Sequence, residues 1–235
     1  MGNKWSEKLY VIGTCSKFIS GKRMGASSKS IRLVLIERDT PEVSIEQTWD
    51  MMSMQGTASE YLVLENIRIE EKYLVESSPK NPNLYDAWLL HIPACYIGIA
   101  KAARDYAVQF EKTHAPNSIK GKGTISELPN VQQKIGQIEL ELLQSRYFLN
   151  GVATQWVDDA ERHKEFQPQL AAVKNAVTNA AIPIVDQSMR VVGAISLQRS
   201  NPLQRYYRDV RAGLHNPPMD DATIMLLAKT ALNNS

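Results

Sequence analysis

The sequence predicts an α+β chain that is mainly α, with a small antiparallel β-domain over residues 1–80 followed by an up-and-down four-helix bundle over 81–235. Three observations predict it. Up to residue 75 the chain holds short runs of β-branched and aromatic residues between polar or glycine-bearing breaks. A polar, proline-containing stretch at 77–83, SSPKNPN, then reads as a linker. Beyond it apolar residues recur at alternating spacings of three and four, the seam of long helices that pack side by side.

In chain order, strands are expected at 9–12, 31–37, 43–49 and 61–69. Leu62, Leu64 and Ile67 do not keep one parity, so the last strand should bend or bulge near Glu65 and Asn66. Gly56, within Met54-Gln55-Gly56-Thr57-Ala58-Ser59, is expected to supply a positive φ at a turn. The first helix carries Ile92, Tyr96, Ile99, Ala103, Tyr106 and Phe110 on one stripe. The second carries Val131, Ile135, Ile138, Leu142, Ser145, Leu149, Val152 and Trp156. The third carries Leu170, Val173, Val177, Ala180 and Ile184, with Pro183 expected to kink it. A loop with Lys120, Gly121, Lys122 and Gly123 separates the first two helices, and Phe166-Gln167-Pro168 separates the second from the third. A last helix is expected from Met219, after Pro217 and Pro218, with Asp220 and Asp221 at its positive end. All three stripes read as core.

Composition narrows the function classes. A chain of 235 residues can bury a substantial core as one large domain or two small ones. At 43% hydrophobic and 22% charged it is not disordered, and a net charge of +2 is too weak for a nucleic-acid binder. Cys15 and Cys95 have neither metal-ligand spacing nor the look of a disulfide framework, which fits a reducing, cytoplasmic setting. No apolar run approaches the ~18 residues of a membrane span, and residues 1–10 lack a signal-peptide core.

The richest stretch is 202–218, PLQRYYRDVRAGLHNPP. Arg205, Arg208 and Arg211 lie three apart on one helical face, and Asp209 is placed to hold an arginine by a bidentate pair. A charge run alone reads as a solvated, salt-bridged face. With Gly193 upstream, and with strands preceding a bundle, the segment resembles the C-terminal end of the acyl-CoA dehydrogenase superfamily, flavoproteins that oxidise thioesters and related substrates. The resemblance covers essentially the whole chain. It implies that the β-domain is partial, the later part of the family's middle domain. The helical domain that usually comes first is missing, so the chain is expected to be a fragment or to need a complementing N-terminal fragment. It implies FAD, with FMN as the alternative, an acyl-CoA or other small-molecule substrate, and a homo-oligomer.

Phe18-Ile19-Ser20-Gly21 is similar to the family's segment in which an aromatic and a hydroxyl lie beside the flavin ring. Strand alternation puts Phe18 and Ser20 on one face, so both can address a flat ligand. The other reading is a half-buried strand with a surface serine. Arg190-Val191-Val192-Gly193-Ala194-Ile195-Ser196 lies where the family's glycines let bare backbone approach a flavin diphosphate from the neighbouring subunit. Here Gly193 remains, Ala194 and Ser196 replace its companions, and Arg190 offers a cation. A helix C-terminal glycine is an equally good reading of Gly193.

Other positions depart from the family. Many dehydrogenases carry a glutamate shortly beyond the Arg-Asp pair that removes the proton alpha to the thioester carbonyl. This chain has His215, Asn216, Pro217 and Pro218 there, with Asp220 and Asp221 beyond. Leu89 stands where an arginine often contacts coenzyme A, and Phe110 where another meets the flavin phosphates. Glu139 and Glu141 are further carboxylates on the second helix. Histidine as a residue type can act as acid or base around neutrality. In the monooxygenase branch, which resembles dibenzothiophene-oxidising enzymes, a histidine in this segment and a serine on the flavin strand flank the flavin; His215 and Ser20 match those positions. The other reading of His215 is an ordinary hydrogen-bonded loop residue. His91, His114 and His163 form no pair with metal spacing. The expected class is a flavin-dependent oxidoreductase, with α,β-dehydrogenation of an acyl-CoA thioester as the default. A reduced-flavin monooxygenase and a non-catalytic assembly fragment are the alternatives.

Overall fold

The computed structural model describes residues 11–15, 32–36, 40–76, 87–114 and 123–233. The expected flavin-side residues Phe18 and Ser20, the linker at 77–83, and Lys120 to Lys122 lie outside the described residues. The described residues up to 50, with 56–76, form one compact unit; 51–55, with 87–233, form a second.

In the first unit, β1 (Val11–Cys15), β2 (Arg32–Ile36) and β5 (Leu74–Glu76) make an antiparallel sheet in the order β1–β2–β5. Its register slips at Leu33 and Val34, where β2 passes from one β5 partner to the next. β3 (Val43–Glu46) and β4 (Tyr61–Leu64) form a separate antiparallel pair, with Val43 opposite Leu64 and Glu46 opposite Tyr61. The expected bend is where β4 ends: Asn66 takes a φ of 53°, and the Glu65 N–H donates to the Glu42 carbonyl at 3.0 Å. Gly56 does not carry a positive φ. It lies in a 3-10 turn, Gln55–Thr57, and the positive angles fall on its neighbours Met54 (54°) and Ala58 (42°). Hydrogen bonds hold these reversals: the Met54 amide donates to the distant Asp209, and the Ala58 carbonyl accepts the nearby Glu60 amide at 2.8 Å.

The second unit is built on three long helices, α1 (Trp88–Thr113), α2 (Pro129–Asp158) and α3 (Gln167–Val192). A short α4 (Pro202–Asp209) follows, then α5 (Asp220–Asn233). α3 lies against α1, α2, α4 and α5. Leu170, Val173, Val177, Ala181 and Ile184 on α3 have no solvent exposure, and each large aliphatic buried this way contributes about 1.5–3 kcal/mol. Ala100, Ala103 and Ala107 on α1 are equally buried, and their small side chains permit close helix approach. The expected α3 stripe is shifted by one residue at its middle: Ala181 is in the core, while Ala180 is only half-buried. α3 runs unbroken across Pro183.

Several helix ends have a cause in sequence. Pro129 opens α2, and at its other end His163 stacks on Trp156 at 3.7 Å while its Nε2–H donates to the Trp156 carbonyl at 2.7 Å. Asn201 caps α4: its Oδ1 accepts the Leu203 amide at 3.0 Å, and its Nδ2 donates to the Tyr106 hydroxyl at 2.9 Å. Gly193 ends α3 at a φ of 74°, a conformation that side-chain-bearing residues rarely adopt. By length and composition alone, the stretch Gln167–Leu197 is apolar enough to cross a membrane, a test that a buried core helix also meets. Here it supplies the central helix of the bundle.

Candidate functional site

The arginine-rich segment is wired into the second unit instead of presenting a free row of cations. Arg208 donates from Nη1 to the Met52 carbonyl at 2.8 Å and from Nη2 to Gln204 Oε1 at 3.0 Å. Arg211 lies over the Tyr207 ring at 3.5 Å and also donates to the Tyr207 carbonyl. Asp209 does not clamp an arginine, as its spacing had suggested. Its Oδ1 accepts the Met54 amide at 2.7 Å, and its carbonyl accepts the Ser53 hydroxyl at 3.4 Å. Asp209 is the last residue of α4, and its carboxylate is taken by the Met54 amide while Arg208 and Arg211 are held by other partners.

A 3-10 turn, Val210–His215, follows α4 and carries His215, and the bundle holds it on both flanks. Before it, Gly213 packs against Tyr96, where an added Cβ would sit 3.1 Å from the ring. After it, the Tyr96 hydroxyl donates to Asn216 Oδ1 at 2.8 Å. Burial pushes the Tyr96 phenol up to about 12, helped by Cys95 and Asp209, so it remains a protonated donor. Further along, Lys174 Nζ on α3 donates to the Pro218 carbonyl at 3.0 Å. Asp220, at the start of α5, accepts from Asn175 Nδ2 at 2.7 Å and from Asn179 Nδ2 at 3.0 Å. Between these anchors the His215 side chain is exposed and makes no hydrogen bond with a described residue.

The phosphate-side candidates sit together at the end of α3. Gly193 is exposed, and nothing lies within 4 Å of where a Cβ would be, so its backbone is open to approach. Arg190 is exposed one turn earlier, with Nε donating to Asp186 at 2.7 Å and its terminal nitrogens unengaged. Open backbone beside unengaged guanidinium donors fits a phosphate-bearing cofactor such as a flavin nucleotide. The structure does not join His215 to Arg190 or Gly193 by any hydrogen bond or ion pair.

The other candidate carboxylates are each engaged through one oxygen, and Glu141 keeps its Oε2 buried without a partner. Glu139 pairs with Arg104 Nε at 3.2 Å, and Glu141 accepts from Gln137 at 3.0 Å. Asp221 accepts the Ala222 amide at 2.8 Å. Among the described residues no group of three histidine, cysteine or acidic side chains could hold a metal ion. Sequence reasoning missed Lys174 and the second role of Tyr96. A signal for Lys174 was present: it lies four residues after Leu170 and three before Val177, a cation on the core face.

The family model for the acyl-CoA dehydrogenase C-terminal domain matches residues 90–216. YdbM of Bacillus subtilis (strain 168), assigned as an acyl-CoA dehydrogenase, is 54% identical over 204 residues, 85% of this chain and 52% of its own. The indole-3-acetate monooxygenase of Acinetobacter baumannii is 27% identical over 198 residues, 78% of this chain and 50% of its own. Among solved structures, TdsC from Paenibacillus sp. A11-2 with FMN and indole matches with a TM-score of 0.80 at 21% identity, covering 97% of this chain and 60% of that one. The chain thus spans about half the length of the curated relatives it matches.

Proposed function

The chain belongs to the acyl-CoA dehydrogenase family, and from that premise we propose that it serves a flavin-dependent oxidoreductase whose default reaction is α,β-dehydrogenation of an acyl-CoA thioester. Kinship with YdbM supports the thioester substrate. A bound flavin, FAD or FMN, supplies the two-electron acceptor for this reaction. The open Gly193 backbone and the terminal nitrogens of Arg190 would meet its phosphates. Removing the α-proton requires a base, and in this segment Asp209 and Asp220 are held by other residues, while Asp221 accepts the amide of its own neighbour. One observation carries the assignment of that role to His215: an exposed imidazole with no hydrogen bond to a described residue, on a turn anchored at both flanks.

The test uses a flavin-loaded assembly containing this chain. Acyl-CoA should bleach the oxidised-flavin absorbance without oxygen, and His215→Ala should slow that bleaching by about 100-fold or more. The unfolding midpoint of the variant should stay unchanged, because an exposed loop side chain contributes little packing. Full turnover in His215→Ala would remove the residue from the chemistry.

A second reading, a reduced-flavin monooxygenase, is favoured by the histidine that stands where a proton-abstracting carboxylate would be expected, and by the likeness to indole-3-acetate monooxygenase. The resemblance that gives Ser20 a role at the flavin belongs to this reading. Under this reading acyl-CoA leaves the oxidised flavin coloured, and labelled dioxygen enters the product when reduced flavin is supplied.

A further inference from the structure

Among the described residues Lys174 is the one buried cation. Its place on α3 between Leu170 and Val177 would suit an apolar side chain, and an ammonium there loses its hydration. Burial pulls its pKa down, against an opposing pull from Asp220. A lysine in such a place usually extends toward water, but this one is fully enclosed and ends on the Pro218 carbonyl, 3.0 Å away. On the same helix Asn175 and Asn179 hold Asp220. The polar patch on α3 is therefore aimed at 218–220, immediately after the turn that carries His215, while Tyr96 on α1 holds Asn216.

A buried ion is seldom the cheapest way to stabilise a core, and a well-packed apolar chain of similar volume often does as well or better. Lys174 is better accounted for by what it holds. We propose that Lys174 is a positioning residue: its ammonium fixes the Pro218 carbonyl and thereby sets the end of the His215 turn. This assignment rests on the reading of His215 as the residue that handles the proton. Lys174 acts on the segment and touches no substrate.

Hydrogen exchange of the full chain, followed by mass spectrometry, reads this directly. In Lys174→Met the amides of 213–216 and 219 should exchange about 10-fold faster, as expected when one anchoring hydrogen bond is lost. Exchange in α1 and α2 should not change, and the unfolding midpoint should stay level or rise. Tyr96→Phe removes a single hydroxyl, should fold normally, and should loosen the same amides. Loosening in Tyr96→Phe with none in Lys174→Met would overturn the proposal. So would uniform loosening of the bundle, or failure of Lys174→Met to fold, since either makes the lysine a packing element. The measurement needs no activity, so a His215→Ala variant with full turnover would sink the proposed proton transfer while the exchange result still decides what Lys174 holds.

Discussion

Glu111 on α1 shows what burial does to a single carboxyl. The residue is 4% exposed, and its Oε1 has no hydrogen-bond partner. Desolvation pushes its pKa from the ordinary 4.5 up to about 7. The folded chain therefore keeps a proton that the unfolded chain releases. Stability is unaffected by this group below pH 4.5, falls as pH rises toward about 7, and stays lowered above it. Glu111→Gln removes the titration and should raise stability at pH 8 by about 2 kcal/mol, with little change at pH 4. Urea unfolding at the two pH values checks this, and an equal effect at both would show that Glu111 titrates alike in the folded and unfolded chain. His215 obeys the opposite logic: it is exposed, so its removal should register in turnover and not in stability.

At the scale of elements, the segment Met51-Met52-Ser53-Met54-Gln55 is tied to the end of α4 by contacts from Arg208 and Asp209. Met54 adopts a φ of 54°, a left-handed angle that costs a side-chain-bearing residue energy, and the Asp209 bond to its amide holds it there. Asp209→Ala should cost about 1–3 kcal/mol in urea unfolding, while Asp209→Asn, which keeps an oxygen acceptor, should recover most of the loss. Equal losses in the two variants would mean that the charge matters and the hydrogen bond does not. The long helices were legible because a three-and-four spacing held over many turns matches the helical repeat and no strand period; what escaped it was the exact centre of the face, which falls on Ala181 in α3 and on Pro93, Ala100 and Ala107 in α1, leaving the expected Ile92, Ile99, Tyr106 and Phe110 half-buried at its edge. The strands were less so. β3 and β4 are four residues each and β5 is three, too short for an alternation to declare its ends. The partners of Asp209 could not be read either, because they lie more than 150 positions away along the chain.

At the scale of the whole molecule, sequence can nominate a residue whose type alone carries chemistry, as it does His215, but it cannot read a role that depends on a distant partner. Nothing near Lys174 in sequence announces a bond to Pro218, 44 residues on. The surface of the bundle bears on assembly. α2 turns its core stripe inward yet leaves Leu140, Leu143 and Tyr147 exposed along the opposite side, and α5 leaves Ile224, Met225 and Leu232 exposed. Leu140, Leu143 and Tyr147 lie three and four apart, so they form a second apolar stripe on one helix. Isolated exposed apolar residues are ordinary, but an aligned row is a surface suited to another helix. We therefore expect the chain to associate as a dimer or tetramer through its C-terminal helices, burying that row. Sedimentation at micromolar concentration should show the oligomer, and Leu143→Glu with Tyr147→Glu should shift it to a smaller species without loss of helicity, because both side chains lie outside the core. A well-folded monomer in the unmodified chain would sink the expectation, and an oligomer indifferent to the double substitution would move the interface off α2.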